Sequence, residues 1–163
     1  MIFSDDRFKY VVDSKKHVKI AKKRLRSLGN ISGKEMLDIG TGAGYLPYLA
    51  NKQGAIASAL DIRVPIYKAC TEDLKVPVLY HRIMPKKDLP LEHGSMDIIT
   101  SYQTCFHKQH NWGICEWSYF LENIKEILKK DGFFMMQINH QGDLGIAARS
   151  FTYKRSGTTW RFF

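Results

Sequence analysis

Two acids and three glycines carry the first chemistry that can be read from the chain. Asp38-Ile39-Gly40-Thr41-Gly42-Ala43-Gly44 follows directly on a short apolar run, and Asp61 closes a second run, Ala55–Leu60. Glycine has no Cβ, so a ligand can approach the backbone closely. The spacing is G-x-G-x-G, not the G-x-G-x-x-G that sets a pyrophosphate on a helix N-terminus. Asp38 stands two residues before the first glycine. A carboxylate there would repel a pyrophosphate but could act, directly or through water, on the ammonium group of an amino-acid moiety. Asp61 is placed to accept hydrogen bonds from both hydroxyls of a ribose. A nucleoside joined to a cationic amino acid suits this set better than a dinucleotide does. The plainer alternative is a tight strand-to-helix turn with no ligand.

These residues need elements to hold them. Glu35–Ile39 reads as a buried strand, Leu46–Lys52 as a helix with Pro47 in its first turn, and Ala55–Leu60 as a second strand. Pro65–Leu74 reads as a short helix, Val76–His81 as a third strand and Met96–Ser101 as a fourth. Trp117, Phe120, Leu121, Ile124, Ile127 and Leu128 form one apolar helical stripe, which is simplest as core. Asp131-Gly132 then turns the chain into a fifth strand, Phe133–Ile138. Ahead of all this, Val18, Ala21, Leu25 and Leu28 recur at helical spacing among Lys22, Lys23, Arg24 and Arg26; Asp13 or Ser14 could cap this helix, and Gly29 ends it as a left-handed cap would. The expected position is across the carboxyl edge of the sheet, with the Lys/Arg face outward. Alternating strands and helices predict an α/β fold, a three-layer αβα sandwich with a Rossmann-like, mostly parallel sheet. For the tail, Ser150–Tyr153 and Thr158–Phe163 flank Arg155-Ser156-Gly157 and suggest a hairpin; a short helix and one strand fit nearly as well.

In this order the segments resemble the class I S-adenosylmethionine-dependent methyltransferases. Leu37–Gly44 resembles their first motif and Ala59-Leu60-Asp61-Ile62 their ribose-binding motif. Asp88-Leu89-Pro90-Leu91 with Gly94-Ser95-Met96-Asp97-Ile98-Ile99 resembles the approach to their fourth strand, and Leu128–Phe134 the turn into their fifth. The resemblance spans roughly residues 34–140. It implies S-adenosylmethionine as cofactor, with Asp38, Gly40, Thr41, Gly42 and Gly44 around its methionine part. Asp61 would hold the ribose, with Ile62 and then Ile83 and Met84 against the adenine, and Ser101 and Tyr102 would reach the methionine end and the acceptor. There are two departures. Arg82-Ile83-Met84-Pro85-Lys86-Lys87 lacks the acid that many members set against the adenine amino group, and residues 141–163 make a C-terminal end shorter than the family's.

The segment Ser101–Trp112 is where the acceptor would sit. His107 or His110 could act as a general base, His107 being the candidate catalytic residue, since a histidine titrates near neutrality. Asn139 and His140 would border the same site. The segment lacks the Asn/Asp-Pro-Pro-aromatic sequence of methylases acting on DNA bases or glutamine amides. Cys105, His107, His110 and Cys115 match no compact zinc pattern, so no metal is expected.

Charge bounds the partners. Of a formal net charge of +9, residues 1–26 carry nine Lys/Arg against three Asp, residues 149–163 carry four basic residues and no acid, and the middle is nearly neutral. Such ends could meet nucleic acid, an anionic surface or a phosphorylated substrate, or be a solvated face. Cys70, Cys105 and Cys115 show no C-x-x-C spacing, no apolar run is long enough for a membrane span, and Met1–Tyr10 is polar. The expectation is one cytoplasmic domain over residues 1–163: a basic helix in 1–29, a cofactor-binding core in 34–140 and a tail in 141–163. It would methylate a small molecule. The rivals are an RNA or protein methyltransferase, a cofactor-binding subunit without catalysis, and, least suited to the glycine spacing, a nicotinamide oxidoreductase.

Overall fold

Alternating strand residues point to opposite faces of a sheet, and here both faces are apolar. Met36, Ala57, Ile98, Phe133 and Met135 belong to one buried cluster; Leu37, Ile39, Leu60, Ile99, Phe134 and Met136 belong to another. A sheet with two such faces needs cover on both. The structure, a computed structural model, describes residues 12–137, 153–156 and 159–162. It shows a seven-stranded sheet: β1 (Glu35–Ile39), β2 (Ile56–Asp61), β3 (Val78–Tyr80), β4 (Met96–Tyr102), β5 (Leu128–Gln137), β6 (Tyr153–Ser156) and β7 (Thr159–Phe162), in the order β3-β2-β1-β4-β5-β7-β6. β1 to β5 pair in parallel, and β7 runs antiparallel to both β5 and β6.

Helices α1 (Ser14–Leu28) and α2 (Tyr45–Lys52) cover the first face. They contribute Ala21, Leu25, Leu28, Leu46 and Ala50 to the cluster around Met36. Helix α4 (Ile114–Ile127) covers the second, through Trp117, Phe120, Leu121, Ile124 and Ile127. Helix α3 (Pro65–Asp73) links β2 to β3 and starts on a proline, whose missing N–H costs nothing at the first helical position. The Asp13 side chain accepts from Lys16 N at 3.3 Å and caps α1. At the other end Gly29 has φ 84° and ψ −147°, so the chain leaves extended rather than through a left-handed helical cap.

β1 has the expected bounds, while β3 is shorter and β5 longer than the apolar pattern indicated. β5 begins at Leu128 because Met96 already pairs with Leu128, and the register then jumps to Ile98 opposite Phe133. Asp131-Gly132 is therefore a bulge within the strand rather than a turn before it. Any Cβ on Gly132 would come within 3.0 Å of the carbonyl oxygens of Met96, Asp97 and Lys129, which is why the bulge needs glycine. In the tail, the hairpin is the form found. Residues 138–152 lie outside the described residues, and with them Asn139 and His140. Among the described residues, no helix is long and apolar enough to cross a membrane.

Candidate active site

The strand order reverses beside β1: the chain runs outward to β2 and β3, then returns to β1's other side as β4. The connections leaving β1 and β4 go to opposite faces, α2 to one and α4 to the other, and part at the carboxyl ends of the strands. A cleft of about 750 Å³ opens there, within the usual size of small-molecule sites.

The glycine loop lines it. Gly40, Gly42 and Gly44 all have positive φ, at 71°, 58° and 80°, yet they serve different ends. A Cβ on Gly40 would strike Thr104 Cγ2, and one on Gly44 would come 2.8 Å from Thr71 Cγ2; one on Gly42 would meet nothing within 4 Å. Gly40 and Gly44 let protein pack closely, whereas Gly42 faces the open cleft. The loop is tied to β2 by Gly40 N donating to Leu60 O at 2.8 Å. At the end of β2 the Asp61 carboxylate accepts from Gly42 N at 2.8 Å and from Ile62 N at 2.7 Å. Burial pushes its pKa up, opposed by those two N–H donors.

Asp38 projects toward the face that α1 covers. It is 4% exposed and accepts from Thr100 Oγ1 at 2.6 Å. Burial raises its pKa from 3.8 to about 6; the hydroxyls of Thr100 and Thr41 and the charge of Arg24 pull the other way, and the charge of Asp61 adds to the rise. Arg24 reaches in from α1. Its guanidinium lies 4.3 Å from the centre of the Tyr102 ring, with the amide oxygens of Gln103 and Gln137 at 3.5 and 3.4 Å from Nη2. Tyr102 Oη donates to Met135 Sδ at 3.0 Å. Burial first, then the charge of Asp38, drive its pKa upward, so this hydroxyl stays protonated at neutral pH.

Of the residues expected from the sequence, Asp38, Gly40, Thr41, Gly42, Asp61, Ile62, Ile83 and Tyr102 line the cleft. Four others do not. Gly44 packs on Thr71, and Met84 is half-buried outside the wall. Ser101 is fully buried with its hydroxyl 2.8 Å from that of Thr104, so it supports the loop from behind. His107, the candidate base, is buried with its ring centre 5.2 Å from that of Trp117 and 6.0 Å from that of Phe106. His110 is exposed and also off the wall. The histidines that do line the cleft are His17 and His81.

Sequence reading expected α1 beside the cleft but not the residues it turns inward, Lys16, His17, Ile20 and Arg24. Arg24 thus corrects the expectation that every Lys/Arg of this helix faces outward. A signal was available: Arg24 lies four residues from Ile20 and seven from His17, on one helical stripe adjoining the apolar one. At the other rim, Arg82 Nη1 donates to Gln109 Oε1 at 3.0 Å and ties the loop after β3 to the turn after β4.

A sheet ordered 3-2-1-4-5-7-6 with one antiparallel strand, carrying a G-x-G-x-G loop and an acid at the end of β2, defines the Rossmann-like class I methyltransferases. The family model described as a methyltransferase domain matches residues 37–136, and the chain belongs to that family. Among solved structures, an S-adenosylmethionine-dependent methyltransferase from Aquifex aeolicus is 20% identical with a TM-score of 0.66, covering 99% of this chain and 97% of that one. A TehB-like S-adenosylmethionine-dependent methyltransferase from Corynebacterium glutamicum is 18% identical with a TM-score of 0.63, covering 96% and 95%. No curated protein matches. The chain is an S-adenosylmethionine-dependent methyltransferase of the class EC 2.1.1.-.

The residues present fit that cofactor. The space in front of Gly42 is open, and the Asp61 carboxylate stands beside it at the end of β2, where ribose hydroxyls could donate to it. A second carboxylate, Asp38, lies beside the loop in surroundings where an ammonium group would restore its charge. Asp61→Ala is therefore expected to weaken S-adenosylhomocysteine binding by about 1–3 kcal/mol, the range for hydrogen bonds to a charged group. Gly42→Val should cost at least as much, since its side chain fills the open space and strains a positive φ. Calorimetry checks both, with a thermal melt to confirm folding; wild-type affinity in two folded variants would move the cofactor site elsewhere.

Proposed function

We propose that this methyltransferase acts on a small molecule, held between α1 and the loop after β4. The observation that carries the reading is the wall made by α1, whose Lys16, His17, Ile20 and Arg24 bound one side of a cleft of about 750 Å³, within the usual size of small-molecule sites. S-adenosylmethionine, when bound, supplies an electrophilic methyl group on a sulfonium. In this reading the chain's own residues bind and align. Asp61 holds the ribose hydroxyls, Ile62 and Ile83 flank the adenine, Asp38 takes the ammonium group and Arg24 the carboxylate of the methionine part. Tyr102, Gln103 and Thr104 border the place where the acceptor meets the methyl group. Methyl transfer is an in-line displacement, so alignment and exclusion of water do most of the work. A base is needed only where the nucleophile must shed a proton; the reading invokes none, and His107 stays outside it. The three cysteines are free thiols, which supports placing the enzyme in the reducing cytoplasm.

The test begins with ligands. S-adenosylmethionine and S-adenosylhomocysteine should bind in calorimetry and NAD should not, because Asp38 and the G-x-G-x-G spacing disfavour a pyrophosphate. Tight NAD binding with no S-adenosylhomocysteine signal would sink the assignment. Transfer of labelled methyl across a panel of small acceptors then tests the substrate class, and label appearing only in RNA or protein would overturn it.

A further inference from the structure

Helix α1 carries five lysines and two arginines between Ser14 and Leu28 and no acid. The helix divides them by angle. Ala21, Leu25 and Leu28 are buried; Lys15, Lys19, Lys22, Lys23 and Arg26 are exposed and off the cleft; His17, Arg24 and the exposed Lys16 line it. The two permanent cations of the cleft face, Lys16 and Arg24, are eight residues apart, about 12 Å along the axis. Arg24 is the inner one, over Tyr102 and close enough to lower the pKa of Asp38. In the proposed reading it takes the cofactor's own carboxylate. A single carboxylate that meets Arg24 cannot also reach the first turns of the helix.

The outer cation is left for something else. Lys16 is in no ion pair among the described residues. Asp13, the acid on the same stretch of wall, turns its carboxylate to Lys16 N as a helix cap. His17, one residue on, lines the same end of the cleft. We propose that this end of the cleft is an oxyanion subsite, where Lys16 and His17 hold a phosphate or carboxylate group of the acceptor while its nucleophile points inward past Ile20 toward the methyl group. The inference rests on the reading of the protein as a methyltransferase of small acceptors and deepens it: the acceptor is an anionic metabolite, fixed by its charged head.

The experiment uses the full chain saturated with S-adenosylhomocysteine. Inorganic phosphate, succinate and a single-stranded RNA oligonucleotide are titrated in separately, with binding read by calorimetry and by chemical shifts of the His17 ring. Phosphate or succinate should bind the saturated protein, and whichever binds identifies the head group. Lys16→Glu should weaken that binding about tenfold or more, the worth of one charge-assisted hydrogen bond. Lys16→Arg should restore most of it, and neither change should alter S-adenosylhomocysteine affinity. Absence of binding by both small anions, or binding indifferent to Lys16→Glu, overturns the subsite. So does RNA binding that depends on Lys15, Lys19, Lys22 and Arg26 and not on Lys16, because the phosphates would then belong to a polymer lying on the outer face. Failure of S-adenosylhomocysteine itself to bind would instead strike the underlying assignment, so the two failures are separable.

Discussion

Replacing Asp38 by Asn is expected to stabilise the ligand-free protein near neutral pH and, in the same solution, to weaken S-adenosylhomocysteine binding. Both effects come from one buried carboxyl. Its pKa is about 6 in the folded chain against 3.8 ordinarily, so the folded state binds this proton more tightly than the unfolded state does. The stability that this proton contributes is complete below pH 3.8, falls as pH rises, and is gone above about 6. A carboxyl with these two values costs about 3 kcal/mol when it must ionise in the folded chain. Asn removes that cost and keeps an oxygen for Thr100 Oγ1, now 2.6 Å from the Asp38 carboxylate. The melting temperature near neutral pH should rise by about 6 °C or more, and the gain should vanish in acid. The cofactor's ammonium group prefers the ionised carboxylate, so affinity in the wild type should increase as pH rises through about 6, and D38N should lose about tenfold and flatten that profile. Melts and calorimetry across this range decide the matter. A variant no more stable than wild type near neutrality would mean that Asp38 carries no desolvation cost, and its proposed role as an ammonium partner would lose its physical basis.

What could be read from the sequence was whatever local chemistry determines. The β1–loop–α2 unit was legible because positive-φ glycines, a preceding acid and an apolar run leave few alternatives, and Asp61 followed from the end of the next strand. The positions that moved depend on distant partners. β5 gains Leu128 through Met96, more than thirty residues away in sequence, which no local pattern carries. His107 sits in a segment that reads as polar, but Phe106, Trp112 and Trp117 pack on one another with ring-centre separations of 5.1 to 6.0 Å, and His107 is drawn into the core against Phe106 and Trp117. The helical period of α1 was plain, and the spacing of Arg24 from His17 and Ile20 placed it beside the apolar stripe; which side of that stripe meets the cleft depended on where the helix docks, which the contacts of Arg24 with Tyr102, Gln103 and Gln137 show. Ser101 was placed at the correct strand end but on its inner side, where it holds Thr104 rather than a ligand. The class of chemistry was thus legible before the positions of its second layer.

Removing residues 1–28 is expected to abolish folding rather than merely uncover the cofactor. Ala21, Leu25 and Leu28 are 4%, 1% and 4% exposed and pack with Met36, Leu46, Ala50, Ile98, Phe133 and Met135. Truncating one such leucine to alanine costs about 2–5 kcal/mol, and the truncation takes both leucines and the longer of the two helices that cover that sheet face. A domain of this size holds only about 5–15 kcal/mol in total. The deletion therefore cannot isolate a role in cofactor binding, and milder changes must. Leu25→Ala should lower stability by about 2–5 kcal/mol while leaving a folded chain, because α1 keeps its Asp13 cap and its remaining contacts. If α1 forms part of the site, loosening it should also weaken S-adenosylhomocysteine, since Arg24 lies about one residue's rise from Leu25 on the same rigid helix. A control of similar cost on the other sheet face, Ile124→Val with Ile127→Val, should lower the melting temperature and spare the affinity. Circular dichroism of the truncated chain and calorimetry of the point variants give the answer. A truncated chain that folds would refute the structural role of α1. Equal affinity loss in the Leu25 variant and the α4 control would show that binding follows general stability rather than the placement of α1.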